Sequence, residues 1–546
     1  MTRRFIRLTG AAWLVGAMVC APPALAQAQH AEQQNVNLTL DDAVRRAVEH
    51  NPDLAVVRLG PDADVARVAE ARAAYVPLFN TKLGRSSSAA APSSFLPGAA
   101  AIDEQDWFSS TGLQQRLKWG GGTWSASWDA ARTTTNSPLS VFDPTVQSGL
   151  QVAFSQPLVR DRVIDASRVQ YIVTRRDLAS SELRFKQAVV QTVAAVKQAY
   201  WTYKALTANV SVQQRSLDLA QDLVRQNQAR VNLGDAPPLD LVQAQAEVAN
   251  RRENLIRAQA AAKDAEDALR RLIADPADAA FWQVHLEPVD QPGVDVAPID
   301  VDRAVAAALD GRYDLAIARQ QLDNADTNLK FLGNQKLPDV RVEASYRGGG
   351  FGGTELVRSG AFPGTVTGTL NTSFGNVLGQ VFGQDFPTWS LGVTVSYPIG
   401  QSAEEASFAR AQVQRQQTAQ SIESLKLQIV QGIRQAARQV QSTAERVDAA
   451  RASQGLAEQR VTVETKRFEA GLSTTFLVTQ AQRDLVQAQV DLLQAMLDHQ
   501  SAVIAYEAVQ LAGVPESGGT MGISNADVVV MPPSSPQGLF RAGGGA

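Results

Sequence analysis

Long stretches of the chain place one apolar residue at every seventh position. Sustained spacing of this kind predicts coiled-coil packing of α-helices. The four series are Val189, Val196, Tyr203, Val210, Leu217, Val224, Val231; Leu241, Val248, Leu255, Ala262, Leu269; Ile433, Val440, Val447, Val461, Phe468, with Gln454 in the one missing place; and Val490, Leu497, Ile504, Leu511. A helix over residues 160–232 would be about 110 Å long at 1.5 Å per residue. That length favours a tube or a stalk over a single globular core.

Shorter segments alternate apolar and polar residues and predict β-strands. Val340, Val342 and Ala344 alternate with polar neighbours, for example. The predicted strands lie at about 78–87, 106–133 (a hairpin turning at glycines 120–122), 148–158, 339–347 and 389–399. The segments 86–104 and 348–388, rich in Gly, Ser or Pro, are predicted to be solvent-facing loops that carry no packing role.

Residues 230–248 and residues 467–485 match each other position by position without a gap, and each segment contains a glycine. The matched pairs are Arg230 and Arg467, Gly234 and Gly471, Leu239 and Phe476, the triplets Gln243-Ala244-Gln245 and Gln480-Ala481-Gln482, and the acids Glu247 and Asp484. Helices precede and follow each glycine, so each is predicted to sit in a left-handed bend at the tip of a helical hairpin. A turn that needs only its glycine is the alternative, although it would not require the other matches.

A second match shows that the whole chain is duplicated. Residues 40–54 resemble residues 301–315, and Pro77 matches Pro338 at the same offset. We therefore predict two homologous repeats joined by a linker. Their bounds are 36–275, with a hairpin at 160–274 and its tip at 230–239; 276–296 for the linker; and 297–513, with a hairpin at 402–511 and its tip at 467–476. The tail 514–546 is rich in Gly, Pro and Ser, which predicts disorder.

The first 26 residues have the pattern of a secretory signal peptide. Three arginines precede an apolar run, and Ala24-Leu25-Ala26 offers a cleavage site. Cys20 raises lipidation as an alternative, which is disfavoured because Val19 is larger than the small residue a lipobox has there. Cys20 is the only cysteine, so the mature chain would have neither disulfides nor cysteine-bound metals.

Charge and hydropathy limit the kinds of partner expected for the mature chain. After removal of residues 1–26, 48 basic and 55 acidic residues remain, a formal charge of −7 that gives no reason to expect nucleic acid. No later run of 18 apolar residues occurs, so a membrane-embedded form of this chain would use β-strands. Five tryptophans mark predicted strands, as at a membrane interface: Trp107, Trp119, Trp124, Trp128 and Trp389. A soluble β-sandwich with tryptophans in its core is the alternative.

The sequence contains no recognisable catalytic motif. The histidines at positions 30, 50, 285 and 499 are isolated from one another, and no pair has the spacing of metal ligands. The glycines of RGGGFGG at 347–353 precede no helix with Lys-Ser/Thr, and no G-x-S-x-G occurs. We therefore predict no enzyme activity, no catalytic residue, no metal site and no cofactor.

Taken in order, these motifs resemble the TolC-like outer-membrane efflux protein family. The resemblance rests on LTLDDAVRRAVEHNPDL, on the strand endings SQPL and SYPI, and on the two R-x-x-x-G tips followed by Q-A-Q, and it covers residues 36–513. It implies a mixed α/β membrane protein with an internal two-fold repeat. Long coiled-coil hairpins would form a periplasmic α-barrel, and a homotrimer would assemble a short transmembrane β-barrel from four strands per subunit in the lipid of the cell outer membrane.

The resemblance also implies partners and sites. The chain would be the passive exit duct of a tripartite efflux pump or a type I secretion system, served by a periplasmic membrane-fusion adaptor and an inner-membrane pump of RND, ABC or MFS type. The docking surface for the adaptor would comprise Arg230, Gly234, Leu239, Arg467, Gly471 and Phe476. The gate at the periplasmic entrance would involve Asp240, Leu477 and Gln480.

Two features depart from the family pattern. The hairpin at 107–133 is additional, so it either enlarges the barrel or projects from it. The acids that form rings at the entrance of some members are replaced here by Leu477 and Gln480, and only the first repeat keeps an acid, Asp240.

Two other classes of protein are possible on the sequence alone. One is a structural or adhesive coiled-coil surface stalk that transports nothing. The other is a periplasmic adaptor, which would need one hairpin flanked by lipoyl-like domains.

Overall fold

A computed structural model of the chain describes residues 35–91, 101–234, 236–293, 299–361, 364–400 and 402–512. The predicted signal peptide with Cys20, the histidine at position 30 and the tail 514–546 lie outside the described residues. Among the helices of the described residues, none is both long enough and apolar enough to span a membrane.

Helices make up most of the described chain. They are α1 (Leu40–His50), α2 (Pro52–Ala73), α3 (Ala166–Leu233), α4 (Pro238–Ile273), α5 (Val301–Gly311), α6 (Tyr313–Gln335), α7 (Phe374–Gly383), α8 (Ala403–Glu469) and α9 (Thr475–Leu511). Helices α1 and α2 are separate, because Asn51 is extended before Pro52 and its side chain caps α2 by accepting from the Leu54 amide. The matching stretch at 302–336 is divided in the same way at Arg312, which is also extended.

The predicted heptad positions lie where the long helices meet. Helix α3 packs against α4, and α8 packs against α9. Val196, Tyr203 and Leu217 of α3 are buried, as are Ile433 and Val447 of α8. Helix α3 has 68 residues, which is about 100 Å at 1.5 Å per residue. Its two ends are therefore far apart, with the predicted strands at one end and the first tip at the other.

The segment expected to be a linker contains a strand. Strand β6 (His285–Pro288) pairs in parallel with strand β1 (Asn35–Leu38) at the start of the described chain. Leu38 and Leu286 are 1% and 0% exposed, and the Tyr203 hydroxyl donates to the Leu286 carbonyl oxygen at 2.5 Å. Burial of these apolar side chains fixes the connection to the helical body, so residues 285–288 are structural rather than a spacer.

The remaining strands form one antiparallel sheet. They are β2 (Leu78–Ala90), β3 (Ile102–Arg116), β4 (Thr123–Thr135), β5 (Phe142–Pro157), β7 (Asp339–Ser359), β8 (Thr365–Thr372) and β9 (Phe386–Ser396). The order is β2-β3-β4-β5-β7, and the far edge of β7 pairs first with β9 and then with β8. The additional hairpin β3–β4 thus lies inside the sheet, between β2 and β5.

The prediction of a loop at 348–388 is wrong. Strand β7 continues to Ser359, and helix α7 packs on its glycines. A Cβ added at Gly350 would lie 2.1 Å from the Val377 carbonyl oxygen, and one at Gly348 would lie 2.9 Å from that of Val381. The glycines therefore let a helix backbone rest directly on a strand, which is the physical reason that the alternating pattern disappears from this part of β7.

Candidate functional site

Both hairpin tips turn at a glycine in the left-handed region, as predicted. Gly234 has φ 83° and Gly471 has φ 77°. A Cβ added at either glycine would meet no heavy atom within 4 Å. The positive φ rather than crowding is thus what requires glycine. At the second tip the Leu472 amide also donates to the Arg467 carbonyl oxygen at 2.7 Å, which closes the end of α8.

Large apolar side chains are exposed around the tips. Leu233 and Leu239 of the first tip are 77% and 62% exposed, and Leu472 and Phe476 of the second are 80% and 66% exposed. The matched positions Leu239 and Phe476 thus both present apolar surface at the start of the second helix of their hairpins. Exposed apolar groups clustered in this way are typical of interaction sites.

The two matched arginines make different contacts behind the tips. The Arg230 guanidinium lies 4.7 Å from the ring centre of Phe468, whose side chain is buried beside Leu223 and Val478. Arg467 forms an ion pair with Glu464 at 3.1 Å. Arg230 therefore contacts the other hairpin, whereas the Arg467 pair lies within α8 and leaves its side chain 60% exposed.

The three predicted gate residues occupy different surroundings. Among the described residues, nothing forms a hydrogen bond or an ion pair with the Asp240 side chain, which lies in the first turn of α4. Leu477 is 43% exposed. The Gln480 side-chain amide donates to Asp484 at 2.8 Å.

A buried ion-pair cluster that the sequence did not reveal joins the two hairpins near these residues. Glu247 of α4 is 6% exposed and accepts from Arg251 at 2.7 Å. Arg483 of α9 donates to both oxygens of the same carboxylate. Burial alone would raise the pKa of Glu247, but hydrogen bonds and charge from Arg483 and Arg251 outweigh it and lower that pKa below its usual value. We call Glu247, Arg251 and Arg483 the inter-hairpin cluster.

The second repeat has a weaker counterpart. Asp484, which matches Glu247, forms an ion pair with Arg460 at 2.6 Å, and both side chains are at least one-third exposed. The sequence pointed to this cluster only by having an acid at the same place in both repeats. The partner Arg483 lies 236 residues from Glu247, so no local pattern could identify it.

A buried histidine lies on the second helix of the second hairpin. His499 is 2% exposed, and its Nδ1 lies 3.2 Å from the Thr443 hydroxyl. Burial lowers the pKa of His499. Within the part of the chain that the structure describes, no group of three or more His, Cys, Asp or Glu side chains could hold a metal ion.

The two faces of the sheet differ in chemistry. One row of cross-strand neighbours comprises Phe79, Leu113, Ala126, Val152, Tyr346 and Trp389; the next row, on the opposite face, comprises Asn80, Gly112, Ser127, Gln151, Arg347 and Thr388. The apolar row is exposed, from 38% at Tyr346 to 72% at Trp389, with only the small Ala126 less so. An antiparallel sheet with an exposed apolar face and a polar opposite face is suited to a boundary between lipid and water.

Four of the five predicted interface tryptophans lie on the apolar face. These are Trp107, Trp124, Trp128 and Trp389. Trp119 is instead in the turn between β3 and β4, at the end of the sheet next to the helices, and is 78% exposed. The indole nitrogens of Trp124 and Trp128 donate to Gln115 at 3.1 Å and Ser148 at 2.8 Å. Trp107, Trp128 and Trp389 are 54%, 44% and 72% exposed, unlike the core tryptophans of the β-sandwich alternative.

Solved structures share this fold at low sequence identity. A membrane protein from Pseudomonas aeruginosa aligns with a TM-score of 0.62 and 16% identity, covering 87% of this chain and 90% of its own. The outer membrane protein VceC from Vibrio cholerae aligns with a TM-score of 0.60 and 17% identity, covering 87% and 96%. The CmeC outer membrane channel of Campylobacter jejuni gives 0.60 and 14%, covering 86% and 85%.

The sequence itself matches one protein family in both repeats. The match is to the family described as Outer membrane efflux protein, over residues 43–275 and 304–509. No curated protein matches the chain significantly. The matched residues make up most of the chain and include both tips, both long hairpins and the sheet. The chain therefore belongs to the outer membrane efflux protein family, and it is an efflux channel of the outer membrane with a helical tunnel in the periplasm.

Proposed function

We propose that three copies of this chain close one β-barrel and act as the exit duct of a tripartite efflux pump or a type I secretion system. The observation that carries the proposal is the sheet, which has one apolar face, one polar face and two open edges, β2 on one side and β9 followed by β8 on the other. Open strand edges in lipid would leave backbone amides and carbonyls without partners, at several kcal/mol each. The edges must therefore pair, and another copy of the same chain offers the complementary edge.

The strand directions fit this closure. Each strand is antiparallel to its neighbour, and six strands span the sheet from β2 to β9, so β2 and β9 run in opposite directions. Identical copies can then join edge to edge in antiparallel fashion around a ring. Three copies give eighteen strands, instead of the twelve expected from four strands per subunit, because the hairpin β3–β4 lies within the sheet.

A wider barrel bears on what can pass. Barrel diameter grows roughly linearly with strand number, so eighteen strands give a diameter about 1.5 times that of twelve. The polar face would line a water-filled lumen, and the apolar face with its tryptophans would meet lipid outside the part that α7 covers. Conduction through such a duct is passive, and the energy comes from an inner-membrane pump of RND, ABC or MFS type.

The tips are proposed to dock a periplasmic membrane-fusion adaptor. They lie at the end of the hairpins opposite the sheet, and they expose Leu239, Phe476 and neighbouring apolar side chains. Gly234 and Gly471 set the bend that presents these groups, and Arg230 contacts Phe468 of the other hairpin behind them. The docking surface we propose keeps the predicted residues, with Arg230 also supporting the tips through Phe468.

The inter-hairpin cluster is proposed to hold the periplasmic entrance closed. It ties α4 of the first hairpin to α9 of the second, so opening that separates the hairpins must break it. Asp240, Leu477 and Gln480 lie one to two turns closer to the tips and would line the same entrance.

A surface stalk or an adaptor fits these observations less well. A stalk needs no sheet with an exposed apolar face, and an adaptor has one hairpin rather than two. The deciding experiment is the mass of the detergent-solubilised protein together with its conductance in planar bilayers. We expect three chains per particle and a conducting pore, whereas a stable folded monomer would contradict the barrel.

A further inference from the structure

Two arginines interrupt the apolar face of the sheet on either side of a tryptophan. Arg85, Trp107 and Arg132 are direct cross-strand neighbours on β2, β3 and β4. They share the face of Phe79 and Leu113, since each lies six residues along its own strand from the apolar row. Charged side chains on a lipid-facing surface are unfavourable unless they reach the interface or a counter-charge.

The row of Arg85, Trp107 and Arg132 lies near the end of the strands farthest from the helices, at the expected membrane boundary. Arg132 is nine residues beyond Thr123, where β4 begins beside the helical body. Nine residues span about 30 Å along a strand, and a tilt of 35–45° reduces this to roughly 23 Å of height. The lipid-facing band of such barrels is about 25 Å tall, so the row reaches the outer leaflet at its headgroups.

The two guanidiniums are available to an anion. The Arg85 guanidinium lies 5.1 Å from the ring centre of Trp107 and donates to the Gln105 side-chain oxygen at 2.8 Å. Among the described residues, no carboxylate forms an ion pair with Arg85 or Arg132. Strand spacing places their backbones about 10 Å apart, so both long side chains can reach one headgroup over Trp107.

An apolar groove extends from this row. Its volume is about 760 Å³, and Leu83, Ala130, Val146 and Phe374 line it together with Trp107 and the two arginines. Phe374 is the first residue of α7, the helix that rests on the glycines of β7. The groove therefore offers an apolar wall for hydrocarbon directly beside two cationic groups.

We infer that this row and groove bind one membrane lipid of the outer leaflet, with its phosphate headgroup between Arg85 and Arg132 and an acyl chain in the groove. The inference rests on the proposed position of the apolar face in the outer membrane. Arginine suits the site because its planar donors bind phosphate oxygens in pairs. The stack on Trp107 holds the Arg85 guanidinium toward the headgroup.

A lipid titration of the detergent-solubilised full-length assembly tests the site. Native mass spectrometry would compare dioctanoyl phosphatidic acid with dioctanoyl phosphatidylcholine, which has the same chains. We expect preferential retention of the anionic lipid. The double variant Arg85→Gln/Arg132→Gln should bind it at least tenfold more weakly, since two charge-assisted contacts are lost.

The control is Arg347→Gln, an exposed arginine on the polar face of the same sheet, which should leave lipid affinity unchanged. Equal binding of the two lipids by the wild type, or unchanged affinity in the double variant, would overturn the site. Displacement of the lipid by inorganic phosphate at equal concentration would also overturn it, because the groove would then contribute nothing.

Planar-bilayer conductance distinguishes failure of the lipid site from failure of the proposed duct. Loss of lipid binding in a conducting channel rejects the lipid site alone, whereas a wild type that neither trimerises nor conducts rejects the duct.

Discussion

The two hairpin tips have matching sequences but differ in how they are held. In the first repeat the matched acid, Glu247, is buried and shared by two arginines, one of them from the other hairpin. In the second repeat Asp484 forms a partly exposed pair with Arg460, within its own hairpin. One duplicated acid thus has two surroundings, and only the first ties the hairpins together. An acid is present at this place in both repeats, but its contribution to stability depends on how deeply it is buried.

The largest effect should come from removing the buried acid. Glu247→Gln leaves Arg251 without its partner in a buried place and releases Arg483. Breaking a buried pair on one side costs about 3 kcal/mol, at the lower end of the usual range because Arg483 is half exposed. We expect an entrance that conducts more in planar bilayers and a lower Tm of the assembly.

Asp484→Asn is the matched control for Glu247→Gln. It removes an exposed ion pair, which contributes less than about 1 kcal/mol. Both variants change one acid to its amide at equivalent places in the repeat. Equal effects of the two would show that burial does not distinguish the tips.

The next effect in size concerns the tip glycines. Gly234→Val and Gly471→Val each force a β-branched residue into the left-handed region, at about 1–2 kcal/mol, and should displace Leu239 or Phe476. We expect export to fall while the trimer still assembles and inserts. Gly455→Val is the control, since Gly455 lies inside α8 with no atom within 4 Å of an added Cβ. Normal export by both tip variants would mean that the tips are tolerant turns.

A pH effect should separate the two repeats further. His499 has Ala262 at the matching place of the first repeat, so only the second hairpin buries a titratable group there. Because burial lowers the pKa of His499 in the folded state, its stabilising effect is complete above the unfolded pKa of about 6.5. It is lost as the pH falls through the lower, folded pKa. The neighbouring Arg446–Asp498 ion pair is partly exposed.

Thermal unfolding between pH 7.5 and pH 5 measures this contribution. The wild type should lose Tm progressively below pH 6.5, whereas His499→Leu should lose less over the same range. His285 is half exposed beside Glu266, so His285→Leu controls for removing a histidine that is not buried. A slope that His499→Leu leaves unchanged would assign the pH dependence to other groups.

Sequence patterns predicted the parts of the fold that repeat locally. Heptads gave the long helices because one face of each must stay apolar, and the positive φ of Gly234 and Gly471 followed from their places between helices. The strand β7 beyond residue 347 was missed, since its glycines remove the alternation on which strand prediction depends. Helix α7 was missed with it, because it packs on those same glycines.

Contacts between residues that are distant in sequence limited how much of the site could be predicted. The apolar tip residues could be named from the duplication alone. The bracing role of Arg230 could not, because its partner Phe468 belongs to the other hairpin. Glu247 carried a sequence signal, as an acid repeated at Asp484, but its burial depends on how α4 and α9 pack.

The smallest predicted effect concerns Asp240, the one acid kept at the predicted gate. Three copies of a carboxylate around a narrow pore would raise the local cation concentration, since walls of low dielectric constant focus the field. The equivalent second-repeat position is Leu477, and Gln480 is likewise uncharged, so Asp240 would act alone. It lies in the first turn of α4, where the helix dipole also stabilises an acid by a few tenths of a kcal/mol.

We therefore expect weak cation selectivity, reduced further in Asp240→Ala, with little change in Tm. Reversal potentials in planar bilayers under a salt gradient measure this directly. Strong cation selectivity that Asp240→Ala leaves intact would place the controlling charge elsewhere in the pore.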